Sequence, residues 1–165
     1  MKKIFVAAAF LFPVTVAHAF DSISAEAGHG TRGVDMWRLG LQWKQEPAWL
    51  AGHRTWSLYW DTAIGAWEGD TGSLTEGILT PTFRYGHEHG PYLDGGIGFH
   101  VLSETRISST VEFSTRFQFG DHVGAGYRFG RHDLSMRIQH LSNAGIKNPN
   151  PGINFLQIRL QYWMD

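Results

Sequence analysis

The stretch Ser57-Leu-Tyr-Trp-Asp-Thr-Ala-Ile-Gly-Ala66 decides the fold, because its side chains alternate in character with a period of two. Its even positions are mostly bulky, and its odd positions are mostly polar or small. Successive side chains of a β-strand point to opposite faces, so this pattern predicts a strand with one apolar and one polar face. The same alternation recurs along the chain. The predicted strands cover residues 21–30, 35–45, 54–67, 75–88, 91–103, 115–129, 132–143 and 153–164.

The composition excludes several classes of protein. The 165 residues are 42% hydrophobic and only 18% charged, so the chain has ample apolar surface to bury and is not expected to be disordered. A formal charge of −1 gives no electrostatic footprint for nucleic acid. There is no cysteine, and His87-Glu-His89, the nearest candidate for a metal site, is interpreted as a polar turn. We therefore expect neither a metal nor another cofactor.

The first 19 residues have the features of a signal peptide. A basic start at Lys2 and Lys3 precedes an apolar stretch, and Ala17-His18-Ala19 fits the small-x-small pattern of a cleavage site. The apolar stretch is too short to cross a membrane as a helix. We predict that residues 1–19 are removed and that residues 20–165 form one exported domain, in the periplasm or outer membrane of a Gram-negative cell.

The two faces of the predicted strands indicate that the domain is an eight-stranded antiparallel transmembrane β-barrel of the outer-membrane type. No later segment has the 18 apolar residues of a membrane helix. The predicted outward face carries Trp37, Trp43, Trp56, Trp60, Phe83, Phe99, Phe119 and Tyr127. The predicted interior is a polar, charge-paired plug of Arg38, Gln42, Asp61, Arg84, Asp94, His100, Arg116, Gln118, His122 and Arg128. A soluble barrel would reverse these faces.

The connections predict the orientation of the barrel. Gly130–Arg131 and 87–90 are short, whereas 67–75, 103–115 and 144–152 are longer and polar. Short periplasmic turns and longer extracellular loops are typical of outer-membrane barrels. With both termini in the periplasm, the 144–152 loop lies at the extracellular rim, at the level of the outer leaflet.

Three polar residues interrupt the apolar face of the last two strands at one end. His140 and Ser142 are two residues apart and so point the same way, and Asn154 continues the apolar face of the final strand. One interpretation is that they mark where the strands leave the hydrocarbon. A nucleophile, a base and an orienting residue on one face are also the parts of a catalytic triad.

A fourth polar residue, Asp121, falls beside His140 if Gly130–Arg131 is a two-residue hairpin turn. The numbers of paired residues then sum to 261, which places Asp121 directly opposite His140. A carboxylate on a lipid-facing surface needs a partner, and His140 is available to it. The alternative is a bulge near Gly120 that turns Asp121 inward.

The segment His140-Leu-Ser-Asn-Ala-Gly-Ile-Lys147, followed by Asn148-Pro-Asn-Pro-Gly152, closely resembles the active-site signature of the PagL-type lipid A deacylases. Phe117–Gly124 also resembles that family, as does the plan of a signal peptide and eight strands. The members are outer-membrane esterases that remove the ester-linked hydroxyacyl chain at position 3 of lipid A. The resemblance therefore implies a carboxylic ester hydrolase that acts on lipopolysaccharide in the outer leaflet and leaves a homodimer open.

The resemblance also implies roles for individual residues. Ser142 matches the nucleophile, His140 the general base, and Asn143 with the backbone N–H around Gly145 the oxyanion-binding region. Asn154 stands where the family pattern has Glu, and an amide can orient the imidazole but cannot stabilise it by charge. An inactive barrel is therefore one alternative, with a structural or adhesion-type barrel as a second. A lipid A acyltransferase barrel, which would hold its substrate inside, is a third.

Overall fold

The computed structural model describes residues 20–164, and the predicted signal peptide and Asp165 lie outside the described residues. The described part contains eight strands and one 3-10 helix, Ala48–Leu50. The strands are β1 Ser22–Gly30, β2 Val34–Gln45, β3 Trp56–Glu68, β4 Ser73–Gly86, β5 Gly90–Leu102, β6 Phe117–Phe129, β7 His132–Ser142 and β8 Ile153–Trp163. Each begins and ends within two residues of its predicted bounds, because the alternation that defines a strand is local.

The eight strands form a closed antiparallel barrel. Each strand pairs with the next in the chain, and β8 pairs with β1 to complete the cylinder. Closure leaves no strand edge unpaired, so the backbone polar groups of the strands are satisfied within the wall. Among residues 20–164, no helix is long and apolar enough to cross a membrane. The predicted fold class is confirmed.

The outward face of the barrel is apolar, as predicted. Strand β8 alternates buried and exposed positions along its whole length, and its exposed side chains include Leu156, Ile158 and Leu160. Other strongly exposed hydrophobic side chains are Trp37, Leu39, Ile64, Ile97, Val123, Ile138 and Tyr127. An apolar exterior with a polar interior is the arrangement of a barrel embedded in lipid.

Ion pairs fill the middle of the interior. Glu76 bonds the Nε of Arg38 at 2.5 Å, and Asp94 bonds Arg137 at 2.6 Å. Asp61 bonds Arg159 at 2.7 Å. The cavity left among these groups measures about 20 Å³, which is room for about one water molecule. The middle of the barrel is therefore a solid structural plug rather than a channel or a ligand chamber.

The interior differs from the prediction at the end where β7 finishes and β8 begins, which we call the site end. There the inward side chains form an apolar cluster rather than a polar plug. The β5–β6 loop folds over this end and inserts Ile107, Val111 and Phe113 among them. The strand members of the cluster are Val34, Met36, Trp67, Leu74, Leu102, Leu141, Ile153 and Phe155. The cluster fixes the ends of β7 and β8, which carry the predicted site.

Two further predictions about this end were wrong. Arg116 is not an interior residue, because β6 begins one residue later, and its exposed side chain lies 3.7 Å from Glu104. The β3–β4 connection has only the residues 69–72 between strands rather than a longer loop.

The opposite end of the barrel carries the chain termini, and we call it the termini end. The β2–β3 loop at this end covers residues 46–55 and includes the 3-10 helix.

The β3–β4 turn holds the β5–β6 loop in place. The carboxylate of Asp70 accepts hydrogen bonds from the backbone N–H of Ser109 at 2.9 Å and from its hydroxyl at 2.6 Å. These two bonds stabilise the ionised form and so lower the pKa of Asp70. The tie closes the loop over the apolar cluster.

Candidate active site

The predicted site residues lie in one row across three strands at the site end. Asp121 of β6 is directly opposite His140 of β7, and His140 is directly opposite Asn154 of β8. All three project from the outward face. The register predicted from the Gly130–Arg131 turn is therefore confirmed, and the alternative of a bulge that turns Asp121 inward is wrong.

The imidazole of His140 is held by Asn154. Its Nδ1 lies 2.7 Å from the Oδ1 of Asn154, and an amide oxygen can only accept, so Nδ1 carries the hydrogen. The other ring nitrogen, Nε2, then has its lone pair available to take a proton. The backbone of Asn154 is itself anchored by Thr31, whose N–H donates to the Asn154 carbonyl at 2.8 Å.

Ser142 shares the outward face of His140 at the last position of β7. Its hydroxyl oxygen lies 3.5 Å from the backbone nitrogen of Ala144, which donates to it. Within the described part of the chain, no hydrogen bond joins Ser142 to His140. Catalytic hydrogen bonds are often long in the resting state and shorten when substrate binds, so shared face and spacing are the relevant geometry.

The turn that follows Ser142 is organised by the side chain of Asn143, which is 1% exposed. Its Nδ2 donates to the carbonyl of Lys147 at 2.7 Å and to the hydroxyl of Ser114 at 2.9 Å. Its Oδ1 accepts the N–H of Gly145 at 2.9 Å. The predicted oxyanion donors, Asn143 and Gly145, are thus engaged with each other and with the loops. The backbone N–H that donates to the Ser142 hydroxyl is that of Ala144.

Sequence reasoning missed Gly152, which lies against the ring of His140. A Cβ at this position would be 2.8 Å from Cε1 of His140 and 3.4 Å from Nε2. Its φ of +60° is also in the left-handed region, which favours glycine. Because Gly152 has no side chain, it leaves room for the imidazole of His140. The only signal in the sequence is a glycine that ends a proline-rich loop before β8.

Asp121 completes the row but does not hold the ring. Its side chain is exposed, and among residues 20–164 no hydrogen bond or ion pair joins it to His140. It lies opposite His140 in the register, on the side away from Asn154. Its carboxylate therefore adds a negative charge beside the imidazole, while Asn154 makes the bond.

An aromatic patch adjoins Ser142 on the outward face. Phe119 is directly opposite Ser142 across β6 and β7. Its ring centroid lies 5.0 Å from that of Phe117 and 6.0 Å from that of Phe99. The nucleophile candidate is thus bordered by apolar surface on one side and by the imidazole on its own strand.

No group of three or more His, Cys, Asp or Glu side chains is placed to hold a metal ion within residues 20–164. The row and the neighbouring Ser142 together supply a hydroxyl, an imidazole with a fixed tautomer, a carboxylate and backbone N–H groups. This set suits nucleophilic attack on a carbonyl carbon.

A family model and two related proteins all point to the same family. The family model for lipid A 3-O-deacylase (PagL) matches residues 35–163. The lipid A deacylase PagL of Pseudomonas aeruginosa is 34% identical over 149 residues, which cover 85% of this chain and 84% of that protein. The lipid A deacylase PagL of Bordetella bronchiseptica is 36% identical over 92 residues, which cover 55% of this chain and 51% of that protein.

Solved structures agree with these sequence matches. The crystal structure of the outer membrane enzyme PagL superposes with a TM-score of 0.75 at 29% identity, and the match covers 86% of this chain and 98% of that one. Neisserial surface protein A matches with a TM-score of 0.55 at 13% identity over 86% of this chain and 96% of that one, which shows the shared fold alone. This chain belongs to the PagL family of lipid A 3-O-deacylases.

Proposed function

We propose that this protein is an outer-membrane ester hydrolase that removes the ester-linked acyl chain at position 3 of lipid A. Family membership supports the substrate and the reaction. The observation that carries the mechanism is the 2.7 Å bond between His140 and Asn154 on the outward face, with Ser142 two residues further along the same face.

In the proposed mechanism Ser142 is the nucleophile and His140 is the general base. The Nε2 of His140 takes the hydroxyl proton as the Ser142 oxygen attacks the ester carbonyl carbon. The tetrahedral intermediate collapses, the bond to the position-3 oxygen breaks, and the imidazolium returns the proton to that oxygen. Water then enters, gives a proton to His140 and attacks the acyl carbon. The bond between that carbon and the Ser142 oxygen breaks, the imidazolium returns the proton to the Ser142 oxygen, and the free acid leaves.

The oxyanion needs donors that are fixed before the reaction begins. The Ala144 N–H, 3.5 Å from the Ser142 oxygen, is well placed to act as one donor. Asn143 and Gly145 remain part of the proposed oxyanion region. In the resting state their mutual bonds hold the turn that presents Ala144, and a donor role for either group would require those bonds to be exchanged.

Asn154 and Asp121 divide between them what a single Glu would supply. The amide oxygen of Asn154 fixes the tautomer and direction of the ring, but it brings no negative charge. Asp121, on the other side of His140 in the same row, brings that charge where the imidazolium forms. The departure from the family residue at position 154 is therefore compatible with activity.

Lipid A would reach the site sideways, from the membrane. The row faces outward, and Phe99, Phe117 and Phe119 offer an apolar surface beside Ser142 for the acyl chain. We place the site end at the extracellular rim, where lipopolysaccharide occupies the outer leaflet. Because the proposed residues all belong to one chain, the chemistry does not require a homodimer.

The interior argues against an acyltransferase that holds a chain inside the barrel. The middle is filled by ion pairs and keeps a cavity of only about 20 Å³. The inward face at the site end is closed by the apolar cluster. An acyl chain has no room inside the barrel at the middle or at the site end, whereas the outward face beside Ser142 is open to lipid.

Mass spectrometry of lipid A tests the proposal. Cells that produce the protein should yield lipid A that has lost one hydroxyacyl chain, and cells that produce Ser142→Ala should not. Ser135→Ala, in which the same change is made on the buried inward face of β7, should behave as the parent protein. Lipid A of unchanged mass would favour a structural barrel, and added mass would favour an acyltransferase.

A further inference from the structure

The β5–β6 loop reaches the turn of residues 143–147, which we call the oxyanion turn, through the side chain of Ser114. The Ser114 hydroxyl donates to the carbonyl oxygen of Lys147 at 2.7 Å. The same hydroxyl accepts a hydrogen bond of 2.9 Å from Nδ2 of Asn143. The second hydrogen of that Nδ2 goes to the Lys147 carbonyl at 2.7 Å. These three bonds form a closed ring between the two loops, and we call this ring the loop clamp.

The oxyanion turn contains a residue in a strained backbone conformation. Ala144 has a φ of 53°, which lies in the left-handed region that residues with a Cβ rarely adopt. Such a conformation persists only where the surrounding structure imposes it, and it is concentrated at functional sites. Here the residues on either side of Ala144 are joined, because the Oδ1 of Asn143 accepts the N–H of Gly145 at 2.9 Å. The loop clamp fixes Asn143 and therefore supports this conformation.

The conformation of Ala144 matters because its N–H is the proposed oxyanion donor. That N–H donates to the Ser142 hydroxyl oxygen at 3.5 Å. An oxyanion donor is effective when its direction is fixed before charge develops on the substrate. If the turn relaxed, the peptide planes on either side of Ala144 would rotate, and the N–H would no longer be directed at the reacting oxygen.

Ser114 can hold the oxyanion turn because its own position is fixed by the core. The preceding residue, Phe113, is 2% exposed, and its ring meets that of Trp67 edge-on with 6.2 Å between the centroids. The N–H of Phe113 donates to the carbonyl of Thr105 at 2.8 Å within the same loop. A supporting residue positions a site only if packing and hydrogen bonds fix it first. The loop clamp therefore connects the oxyanion turn to the rigid apolar cluster.

We propose that Ser114 is a positioning residue for deacylation, because its hydroxyl holds Asn143 and thereby the turn that presents the Ala144 N–H. This inference rests on the proposed function, since an oxyanion forms only if Ser142 attacks a carbonyl carbon. Asn143 is 1% exposed, so loss of the Ser114 hydroxyl leaves one Nδ2 hydrogen without its acceptor where water has little access. Either Asn143 rotates or the turn opens, and both changes let Ala144 leave its strained conformation.

The test compares Ser114→Ala with Ser109→Ala in the full chain refolded in dodecyl maltoside. Ser109 belongs to the same loop, but its hydroxyl donates to Asp70 of the β3–β4 turn. In Ser114→Ala, kcat should fall by about thirtyfold, because the loss of a whole oxyanion donor costs about a hundredfold or more. KM should stay near that of the parent, because the lost interaction is made only in the transition state. Ser109→Ala should keep kcat near that of the parent, and equal losses in the two variants would overturn the proposal.

A second pair of variants isolates the hydroxyl from the shape of the side chain. Ser114→Thr keeps the hydroxyl, whereas Ser114→Val has a methyl group of similar size in its place. Ser114→Thr should therefore retain most of the rate, and Ser114→Val should lose as much as Ser114→Ala. The pair also replaces Ser114→Ala if that variant does not fold, and all rates are taken per folded molecule. Equal rates in the two variants would contradict the role of the hydroxyl.

A reversible inhibitor tests whether the loss concerns the oxyanion itself. The Ser142 oxygen adds to the carbonyl carbon of a long-chain alkyl trifluoromethyl ketone, the hydroxyl proton passes to His140, and the carbonyl oxygen becomes an oxyanion. The affinity for this ketone should fall in Ser114→Ala by the same factor as kcat/KM. The matching alkyl ether forms no oxyanion and should bind to Ser114→Ala as it binds to the parent. An unchanged affinity for the ketone, or equal losses for ketone and ether, would overturn the proposal.

A double variant tests the strained conformation. Glycine adopts a positive φ without strain, so Ala144→Gly made in the Ser114→Ala background should restore part of kcat. No gain in that double variant would contradict the role assigned to Ala144. A parent protein without deacylase activity would count against the proposed function and, with it, this inference. An active parent whose rate is unchanged in Ser114→Ala would count against this inference alone.

Discussion

His100 and His140 lie on opposite sides of the same wall and differ in how many partners their rings have. His100 points inward and is fully buried, with Nδ1 3.0 Å from Glu76 and Nε2 3.4 Å from the amide nitrogen of Gln139. His140, the next residue after Gln139, points outward and bonds Asn154 through Nδ1. Among residues 20–164, its Nε2 has no hydrogen-bond partner. Both ring nitrogens of His100 therefore have partners, whereas His140 keeps one ring nitrogen available for proton transfer.

This difference separates the polar groups that stabilise the barrel from the polar groups that are available for catalysis. On the inward face, polar side chains form ion pairs that fill the middle of the barrel, and removal of one partner leaves a charge unpaired. On the outward face, His140, Ser142 and Asn154 lie together at the site end, and the bond between His140 and Asn154 fixes a tautomer rather than filling space. Inward polar changes should therefore alter stability, and outward ones should alter activity.

The largest expected effect comes from making the same substitution in both histidines. His140→Ala removes the base, so deacylation should fall by about a thousandfold or more, with little change in the free energy of unfolding. His100→Ala opens a cavity and removes a partner of Glu76, which should lower the free energy of unfolding by about 3 kcal/mol. Deacylation rates per folded molecule and urea titrations of the refolded barrels measure the two effects.

Similar losses of activity per folded molecule in both variants would erase the distinction between the faces. Retained activity in His140→Ala would also count against it, because no other imidazole lies in the row. Heat-modifiable migration on gels reports how much of each variant is folded.

Most of the barrel follows from local information. The alternation in β3 and β8 determines which side chains face the core, and a two-residue turn between β6 and β7 fixes the Asp121–His140 register without any long-range contact. The apolar cluster could not be predicted in this way. Ile107, Val111 and Phe113 come from a loop in which apolar and polar residues do not alternate regularly. Their burial depends on how that loop folds back over the strands.

The next largest effect is expected at Gly152. Gly152→Ala would place a methyl group 2.8 Å from Cε1 of His140, so the ring must move. A displacement of about 1 Å can cost about a hundredfold in rate, and we expect a loss of that order. The matched control is Gly33→Ala, which is at the same end and also has a positive φ, of 69°, but would meet no atom within 4 Å. A Gly152→Ala rate no lower than that of Gly33→Ala would contradict the packing role.

A smaller effect separates the two neighbours of His140. Asn154→Ala removes the acceptor for Nδ1, so the rate should fall by about thirtyfold through loss of the correct tautomer. Asp121→Asn removes only the charge and should cost less than about fivefold. Asn154→Glu adds charge where the ring is held and should preserve or raise the rate. Steady-state kinetics in mixed micelles measure all three, and a larger loss in Asp121→Asn than in Asn154→Ala would reverse the assignment.

The site itself could be predicted only in part. His140, Ser142 and Asn154 stand out because they break an apolar face, and their shared direction follows from the spacing. The partners of Asn143 could not be foreseen, since Ser114 comes from a different loop and Lys147 contributes its backbone carbonyl. The contact of Gly152 with His140 is equally hidden, because it depends on how the β7–β8 loop closes.

The smallest effect concerns the tie between Asp70 and Ser109. The pKa of Asp70 is lowered in the folded protein, so the tie stabilises the loop above the ordinary carboxyl pKa and weakens as the pH falls through the lowered value. The protection of residues 103–116 against hydrogen exchange, measured relative to the intrinsic exchange rate at each pH, should therefore fall on acidification. Asp70→Asn should remove most of this pH dependence, and an unchanged profile in that variant would assign it to another group.

The most direct test of the outward site is covalent trapping of the nucleophile. A lipid-like fluorophosphonate should label the refolded protein once, and peptide mass spectrometry should place the adduct on Ser142. Labelling should disappear in Ser142→Ala and in His140→Ala and persist in Ser135→Ala, whose serine lies on the inward face of the same strand. Inhibition of deacylation with Ser142 unlabelled, or with the adduct on another residue, would contradict the account.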